Sequence, residues 1–412
     1  MGMTPLRPSP LGPSPLGTSP LGTSDLGASK LGKSLPSLGI YIHWPFCSTI
    51  CPYCDFNVYK ARQIDDAQWR QAYIQDLSHA AHRRPGGPVK TVFFGGGTPS
   101  LMGSDLVADL LAQIDRLWGL EAGAEITLEA NPEHVTPAYA EALRQAGITR
   151  LSLGLQAVQD DALAFLGRHH SAASARQAIE VTRRFFENYN LDLIYGRPGQ
   201  SCAAWEKELA DILSYAPPHL SLYELTIEPD TAFGYQYKRG ALIPPADDLR
   251  AELYCLTQDL CQSANLPAYE VSNYARAGYA CRHNYATWRG GDYLGIGPGA
   301  HGRLTYDTPK GRIRHATLAH ARPHDWLQSV AQQGHGLAQI DPLSEIETAQ
   351  EQVLLGMRLL EGVAYQPGLG LFNDAQILAL IEDGYLLRDG DYLRATQRGR
   401  LVLDHLLGII LN

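Results

Sequence analysis

The chain has no apolar run long enough to span a bilayer; even His405-Leu-Leu-Gly-Ile-Ile-Leu411 is far too short. Its N-terminus lacks the continuous apolar core of a signal peptide. Positive charge is scarce as well: 34 Lys+Arg stand against 43 Asp+Glu, and the resulting net charge of −9 argues against a nucleic-acid footprint. Only seven of 412 residues are cysteine. Three of these are clustered, an odd number with nothing to mark the chain as secreted, which disfavours a disulfide framework. The expectation is a soluble, cytoplasmic protein with reduced thiols and no nucleic-acid partner.

With 45% hydrophobic residues, the chain can bury a sizeable core, and its length suggests one large domain plus a small one. Residues 1–37 stand apart. From Leu11 to Leu35 a five-residue unit recurs (Leu-Gly-Pro-Ser-Pro, Leu-Gly-Thr-Ser-Pro and variants), with almost nothing to bury, so the segment reads as a disordered low-complexity tail. Beyond it, within residues 38–275, short apolar strand patterns alternate with helical periods, as in βα units around a parallel sheet. The predicted strands are Gly39–His43, Lys90–Phe94, Glu125–Glu129, Arg150–Leu155, Leu191–Tyr195 and His219–Thr226, with Ala268–Val271 as an edge addition. Helical stripes include Trp69, Tyr73 and Leu77, and then Leu106, Leu110, Ile114 and Leu117 after a Ser104 cap. Six units predict an α/β fold, a partial (β/α)6 barrel of TIM type.

The cysteine cluster follows the first predicted strand: Cys47-Ser-Thr-Ile-Cys51-Pro-Tyr-Cys54, spaced C-x3-C-x2-C. Thiolates this close on a loop can converge on a soft-metal centre, and three suit a [4Fe–4S] cluster that leaves one iron without a cysteine. A structural zinc is the competing reading, with His43 or Asp55 completing a tetrahedron. The next strand runs into Gly95-Gly-Gly-Thr-Pro99, whose bare backbone lets the amino or carboxylate group of a ligand approach closely. Glu129 ends the third strand, Gln156 follows the fourth and Asp192 lies in the fifth, so polar groups collect at the C-terminal face of the barrel, where such folds bind ligands. The alternative for Glu129 and Asp192 is a barrel-top ion network in which they are buried partners of Arg168. Cys202, Cys255 and Cys261 have no ligand spacing and read as small apolar fillers.

These motifs resemble the radical S-adenosylmethionine (SAM) superfamily, and within it the oxygen-independent coproporphyrinogen III oxidase-like family with its haem-chaperone branch. The resemblance rests on Tyr41-Ile-His-Trp-Pro-Phe-Cys47, the three cysteines, Phe94-Gly-Gly-Gly-Thr-Pro99, Glu129-Ala-Asn-Pro132, Ser152-Leu-Gly-Leu-Gln156, Leu166-Gly-Arg168 with His170, Asp192-Leu-Ile-Tyr-Gly196 and Gly295-Ile-Gly-Pro-Gly-Ala-His301. It covers the chain from about Gly39 to the C-terminus. It implies that Cys47, Cys51 and Cys54 hold a [4Fe–4S] cluster. It further implies that Tyr41, Tyr53, Gly96, Gly97, Thr98, Glu129, Gln156, Arg168, Asp192, Thr226 and His301 contact SAM. In the family, one electron from the cluster splits SAM into methionine and a 5′-deoxyadenosyl radical, the cofactor carrying the hard step.

The oxidase branch has a further cysteine two residues after the third, where this chain has Phe56, and an ordered N-terminal arm, where this chain has the repeat. Both departures point to the chaperone branch. There His283-Asn-Tyr-Ala-Thr-Trp288 resembles a haem-binding motif, implying haem contacts from His283, Asn284 and Trp288, with Thr287 replacing a usual Tyr and Cys281 a rival axial ligand. Arg197 is a second departure, a charge either near the SAM face or on the surface. Residues 276–340 are expected to be the haem-binding segment and a linker. Residues 341–412 are expected to form a small helical, winged-helix-like domain with a turn at Arg388-Asp-Gly-Asp391, its Arg388, Arg394, Arg398 and Arg400 read as solvated charge. The leading expectation is a haem chaperone with cluster, SAM and haem as cofactors; the alternative is oxidative decarboxylation of porphyrinogen propionates. Implied partners are a haem-accepting respiratory protein, a small electron-transfer protein, a second copy in a homodimer and transient membrane contact.

Overall fold

A computed structural model describes residues 37–60, 64–309, 311–368 and 370–411. The expected tail, apart from Ser37, lies outside them. The strand β1 (Leu38–Trp44) is buried at almost every position and leads directly into the cysteine loop, whose ends are tied by the two-residue pair β2 (Phe46–Cys47) and β3 (Tyr59–Lys60). Five further parallel strands follow: β4 (Val89–Gly96), β5 (Leu120–Ala130), β6 (Arg150–Gln156), β7 (Asn188–Tyr195) and β8 (His219–Glu224). Each matches a predicted strand, extended by one to five residues at one or both ends except that β8 stops two residues early. Near-continuous apolar runs such as Val92–Phe94 and Leu151–Leu155 are what a sheet covered on both faces requires.

The edge strand β9 (Asn273–Ala275) pairs antiparallel with β8. It lies later than the predicted Ala268–Val271, because the Glu270 carboxylate accepts from Ser272 N (2.8 Å) and Asn273 Nδ2 (2.6 Å) and bends that segment into a turn, leaving Ala268 in a single bridge to Tyr274. On the other side, β10 (Asp292–Ile296) runs parallel to β1, and β11 (His301–Thr308), β12 (Gly311–Ala319) and β13 (Leu337–Leu343) continue the sheet antiparallel. Residues 276–340, expected as a binding segment and linker, thus supply much of the sheet. The complete order is β13-β12-β11-β10-β1-β4-β5-β6-β7-β8-β9, an open, partial barrel.

Helices cover the outer face. Trp69, Tyr73 and Leu77 of the helix Asp66–Arg83 are buried, and the Trp69 ring stacks on Trp326 at 5.5 Å. In Ser104–Trp118 the buried stripe is Leu106, Leu110 and Ile114; the cap is Gly103 rather than Ser104, so no side chain closes that terminus, and Asp105 complements the dipole instead. The small C-terminal unit joins β14 (Val363–Ala364), β15 (Leu386–Asp389) and β16 (Tyr392–Ala395) to the helices Asp374–Glu382 and Leu403–Ile410. Val353, Met357, Ile377 and Leu393 fill its core, and the β15–β16 hairpin turns at Gly390 as expected.

Candidate cofactor site

The cysteine loop is built on the end of β1. Gly97 N donates to Trp44 O (2.7 Å) and Thr98 N to Phe46 O (2.8 Å), which clamps the glycine run against the loop's root. Gly96 has φ +110°, and a side chain there would meet His43 at 2.5 Å; on Gly97 it would meet Phe46 O at 2.7 Å, so both positions need glycine. Cys54 N closes a turn onto Cys51 O (3.1 Å), and Phe233 N fixes the loop from outside through Pro52 O (2.8 Å).

All three thiols line one cavity of about 520 Å³. Burial pushes the Cys47 thiol up and the Cys54 thiol up to about 12, with neighbouring Cys51 charge adding to both. A cation on this wall is therefore what would ionise them. Cys202, Cys255, Cys261 and Cys281 are elsewhere in the fold. Of the two candidate fourth ligands for a closed zinc shell, His43 has both ring nitrogens engaged, Nδ1 with Tyr41 Oη (3.0 Å) and Nε2 with Asn57 O (2.9 Å), whereas Asp55 lines the cavity with the thiols. Among the described residues no group of three or more His, Cys, Asp or Glu is arranged to hold a single metal ion. Three thiols on one wall of an open cavity suit a cluster with an accessible iron.

The same cavity is lined by polar residues at the strand ends. The cavity is lined by Gly96, Gly97, Thr98, Glu129, Asp192 and Thr226, and also by Tyr53, Gln156 and Arg168. Burial and then the Asp192 charge push Glu129 up to about 8, while burial raises Asp192 against the opposing bonds from Asn190, Ser221 and Ser152. Asn190 Nδ2 (2.7 Å) and Ser152 Oγ (3.1 Å) hold the Asp192 carboxylate in place. Neither acid pairs with Arg168. That guanidinium instead donates to Asn131 Oδ1 (2.6 Å), Gly154 O (2.9 Å) and Cys51 Sγ (3.6 Å). Gln156 sits at φ +68°, a left-handed conformation that costs a non-glycine residue energy and is characteristic of binding sites.

Tyr41 and His301 do not line the cavity. Tyr41 supports His43 and packs on Phe93, whose ring lies 6.2 Å from Tyr41 and 5.3 Å from His283; His301 is exposed at the start of β11. His283 is buried beneath this aromatic layer, its Nδ1 2.9 Å from Thr91 Oγ1, and burial lowers its pKa to about 4. The Glu125 carboxylate accepts from Arg282 N (2.8 Å), His283 N (3.3 Å) and Cys281 Sγ (3.7 Å), anchoring the helix Arg282–Trp288 at the N-terminal ends of the strands. Trp288 lies under the Arg358 guanidinium, and Asn284 is half-buried. Arg197 is neither a surface charge nor a cavity residue: it is buried in an ion pair with Glu208.

Sequence reasoning missed a further part of the lining. Arg358, Arg400, Leu401, Leu403 and Asp404, with Tyr254, close the cavity from the C-terminal side, so Arg400 is not mere solvated charge. No local pattern announces residues that reach a site from a separate unit.

Residues 41–212 match the Radical SAM superfamily and residues 343–402 the HemN C-terminal domain. The chain is 37% identical over 378 residues to the heme chaperone HemW of Mycobacterium tuberculosis, covering 91% of this chain and 95% of that protein. To the heme chaperone HemW of Escherichia coli it is 36% identical over 385 residues, covering 92% and 99%. It is also 37% identical over 384 residues to radical S-adenosyl methionine domain-containing protein 1, mitochondrial, of Bos taurus, covering 90% and 87%. Among solved structures, coproporphyrinogen III oxidase (HemN) from Escherichia coli, a radical SAM enzyme, superposes with a TM-score of 0.77 at 23% identity over 90% of this chain and 89% of that one, which shows a shared fold. Among the described residues no helix is long and apolar enough to cross a membrane. With near-complete coverage at this identity, the chain belongs to the radical SAM superfamily, in the HemN-like family that contains the heme chaperone HemW.

Proposed function

We propose that the protein is a haem chaperone that carries a [4Fe–4S] cluster and SAM and passes haem to an acceptor protein. The observation that carries this reading is the cavity that gathers Cys47, Cys51 and Cys54 with Glu129, Gln156, Arg168 and Asp192, in a chain whose nearly full-length relatives are named heme chaperone HemW. The three thiols hold the cluster. When bound, cluster and SAM together supply one-electron chemistry that side chains cannot.

The chain's own residues bind and orient. The bare backbone of Gly96 and Gly97, with the Thr98 hydroxyl, receives the amino group; Arg168 neutralises the carboxylate while its bond to Cys51 steadies the thiolate. Glu129 and Asp192 bind hydroxyl groups or positive charge, and Tyr53, Gln156 and Thr226 complete the wall. Tyr41 and His301 act from outside the cavity, Tyr41 through His43. Haem engages His283, Asn284 and Trp288, which requires the Phe93 layer or the helix Arg282–Trp288 to yield, because His283 is 7% exposed. Phe56, 66% exposed beside the cavity where the oxidases place a further cysteine, favours the chaperone over the decarboxylase.

The test is anaerobic. Cluster-loaded protein is given SAM, reductant and coproporphyrinogen III while carbon dioxide is measured, and haem is titrated into wild type and His283→Ala. The expected result is no sustained carbon dioxide release, tight haem uptake by wild type and haem binding at least about tenfold weaker in the variant. Sustained turnover would instead assign the decarboxylase activity, and unchanged haem affinity would remove His283 from the site.

A further inference from the structure

His219 is fully buried at the start of β8 with both ring nitrogens bonded, and its partners form one unbroken hydrogen-bonded chain from the helix Arg282–Trp288 to the cavity. At one end Cys281 N, at the root of that helix, lies 3.3 Å from Tyr269 Oη, which lies 2.9 Å from His219 Nε2. His219 Nδ1 is 2.6 Å from Asn190 Oδ1, and Asn190 Nδ2 is 2.7 Å from Oδ1 of Asp192, which lines the cavity. Strand register brings these groups together. Asn190 and Asp192 are two residues apart on β7 and so share a face, and Asn190 lies opposite His219 on β8 and Ser152 on β6.

The protons along this chain have one assignment. A carboxylate only accepts, so Asn190 turns its Nδ2 to Asp192 and Ser152 and its Oδ1 to His219, which must therefore carry a proton on Nδ1. Burial, and then the Arg150 charge, hold the His219 pKa well below the ordinary histidine value, so the ring is neutral and Nε2 is an acceptor. Tyr269 must then donate its hydroxyl proton to Nε2 and accept from the Cys281 N–H, which only donates. Ser152, accepting from Asn190, donates to Asp192 Oδ2 (3.1 Å). Every bond points towards the same carboxylate. Removing the Tyr269 hydroxyl opens the other tautomer to His219, whose bare Nδ1 then draws the Asn190 amide round and sets its Oδ1 against Asp192, acceptor against acceptor.

We infer that His219 and Tyr269 are positioning residues for the SAM site, locking the Asn190 amide so that it and Ser152 present their donors to Asp192. The inference rests on the reading above that Asp192 contacts SAM, and places the control of that contact at the root of the helix Arg282–Trp288.

The SAM affinity of cluster-loaded protein, measured by equilibrium dialysis, tests the lock. Tyr269→Phe is expected to weaken SAM binding about fivefold and His219→Leu about tenfold. Both losses should vanish in an Asp192→Asn background, because an effect exerted through the carboxylate disappears with it whereas a general structural defect persists. Equal losses in both backgrounds, or wild-type affinity in Tyr269→Phe and His219→Leu, overturn the positioning role and leave the Asp192 contact standing. Wild-type affinity in Asp192→Asn overturns the contact and the positioning role together. Where Asp192→Asn leaves no measurable binding, His219→Gln decides, since its amide retains a donor for Asn190 Oδ1: affinity within about twofold of wild type supports the lock, and affinity as low as in His219→Leu overturns it. Where His219→Leu fails to fold, Tyr269→Phe carries the comparison alone, with the thermal midpoint as control.

Discussion

The two ends of the barrel use the same kinds of residue to opposite effect. At the N-terminal end, His283, Cys281 and Glu125 are locked together with Thr91 and the first turn of Arg282–Trp288, and His219 is bonded on both ring nitrogens, to Asn190 Oδ1 (2.6 Å) and Tyr269 Oη (2.9 Å). At the C-terminal end, three thiols face a cavity, Glu129 carries a raised pKa without a cationic partner in direct contact, and Gln156 is held in a left-handed conformation. Polar groups that satisfy one another must give up packing or partners before they meet a ligand, whereas polar groups that line a cavity are already open to one. A histidine and a cysteine are thus no guide to function until their partners are known.

Two substitutions would break this contrast if it is misplaced. Cys51→Ala, the larger effect, is expected to abolish cluster retention, read as loss of iron and acid-labile sulfide, while the fold survives by circular dichroism. Retention of a full complement of iron would show that the cluster is held elsewhere. At the other end, Glu125→Ala strips the acceptor from two helix N–H groups and should cost about 2–4 kcal/mol of unfolding free energy in urea. Cluster content should be unaffected. A Glu125 variant as stable as wild type would mean that this network does not hold the helix Arg282–Trp288 in place.

His283 sharpens the same comparison through pH. Its folded pKa of about 4 lies below the ordinary value, because burial disfavours the charged ring. The unfolded chain therefore takes up a proton that the folded one refuses as pH falls from the ordinary histidine range towards about 4. Its contribution is present above that range and is lost on acidification through it. His283→Gln should flatten this part of the urea-midpoint profile; a parallel profile would mean that the ring is solvated in the folded protein.

How far these ends could be read in advance depended on how local each signal is. The parallel strands were legible because Ile40 and Ile42 or Val92 and Phe94 must be apolar in a doubly covered sheet, and the cysteine loop because its three thiols lie within eight residues. Strands β11–β13 escaped because one face is solvated and residues such as Arg303, Arg312 and Arg314 interrupt the apolar pattern. Arg314 is in fact buried against Asp292, a pairing that only the fold creates. Arg358 and Arg400 reach the cavity from more than 100 residues beyond the strand ends they face, and nothing in their immediate neighbours distinguishes them from surface charge. Spacing located the thiols, but only packing separated the sealed histidine from the open glutamate.

The smallest expected effect is also the most specific to the open end. Burial first, and Asp192 second, raise Glu129 from an ordinary carboxyl value of 4.5 to about 8. Between those values the folded protein retains a proton that the unfolded chain has released, so this residue makes stability fall as pH rises through the window and level off beyond it. That is the reverse of a salt-bridged carboxylate, whose contribution is lost on acidification. Glu129→Gln cannot ionise and should remove this decline, while weakening SAM binding by about tenfold through loss of a charge-assisted contact. Saturating SAM should reduce the decline in wild type, since positive charge brought beside Glu129 stabilises its ionised form. Urea midpoints across the window, with and without SAM, read both effects. Identical pH profiles for wild type and Glu129→Gln would mean that Glu129 is paired and solvated like any surface acid, and the open end of the barrel would lose the feature that most separates it from the closed one.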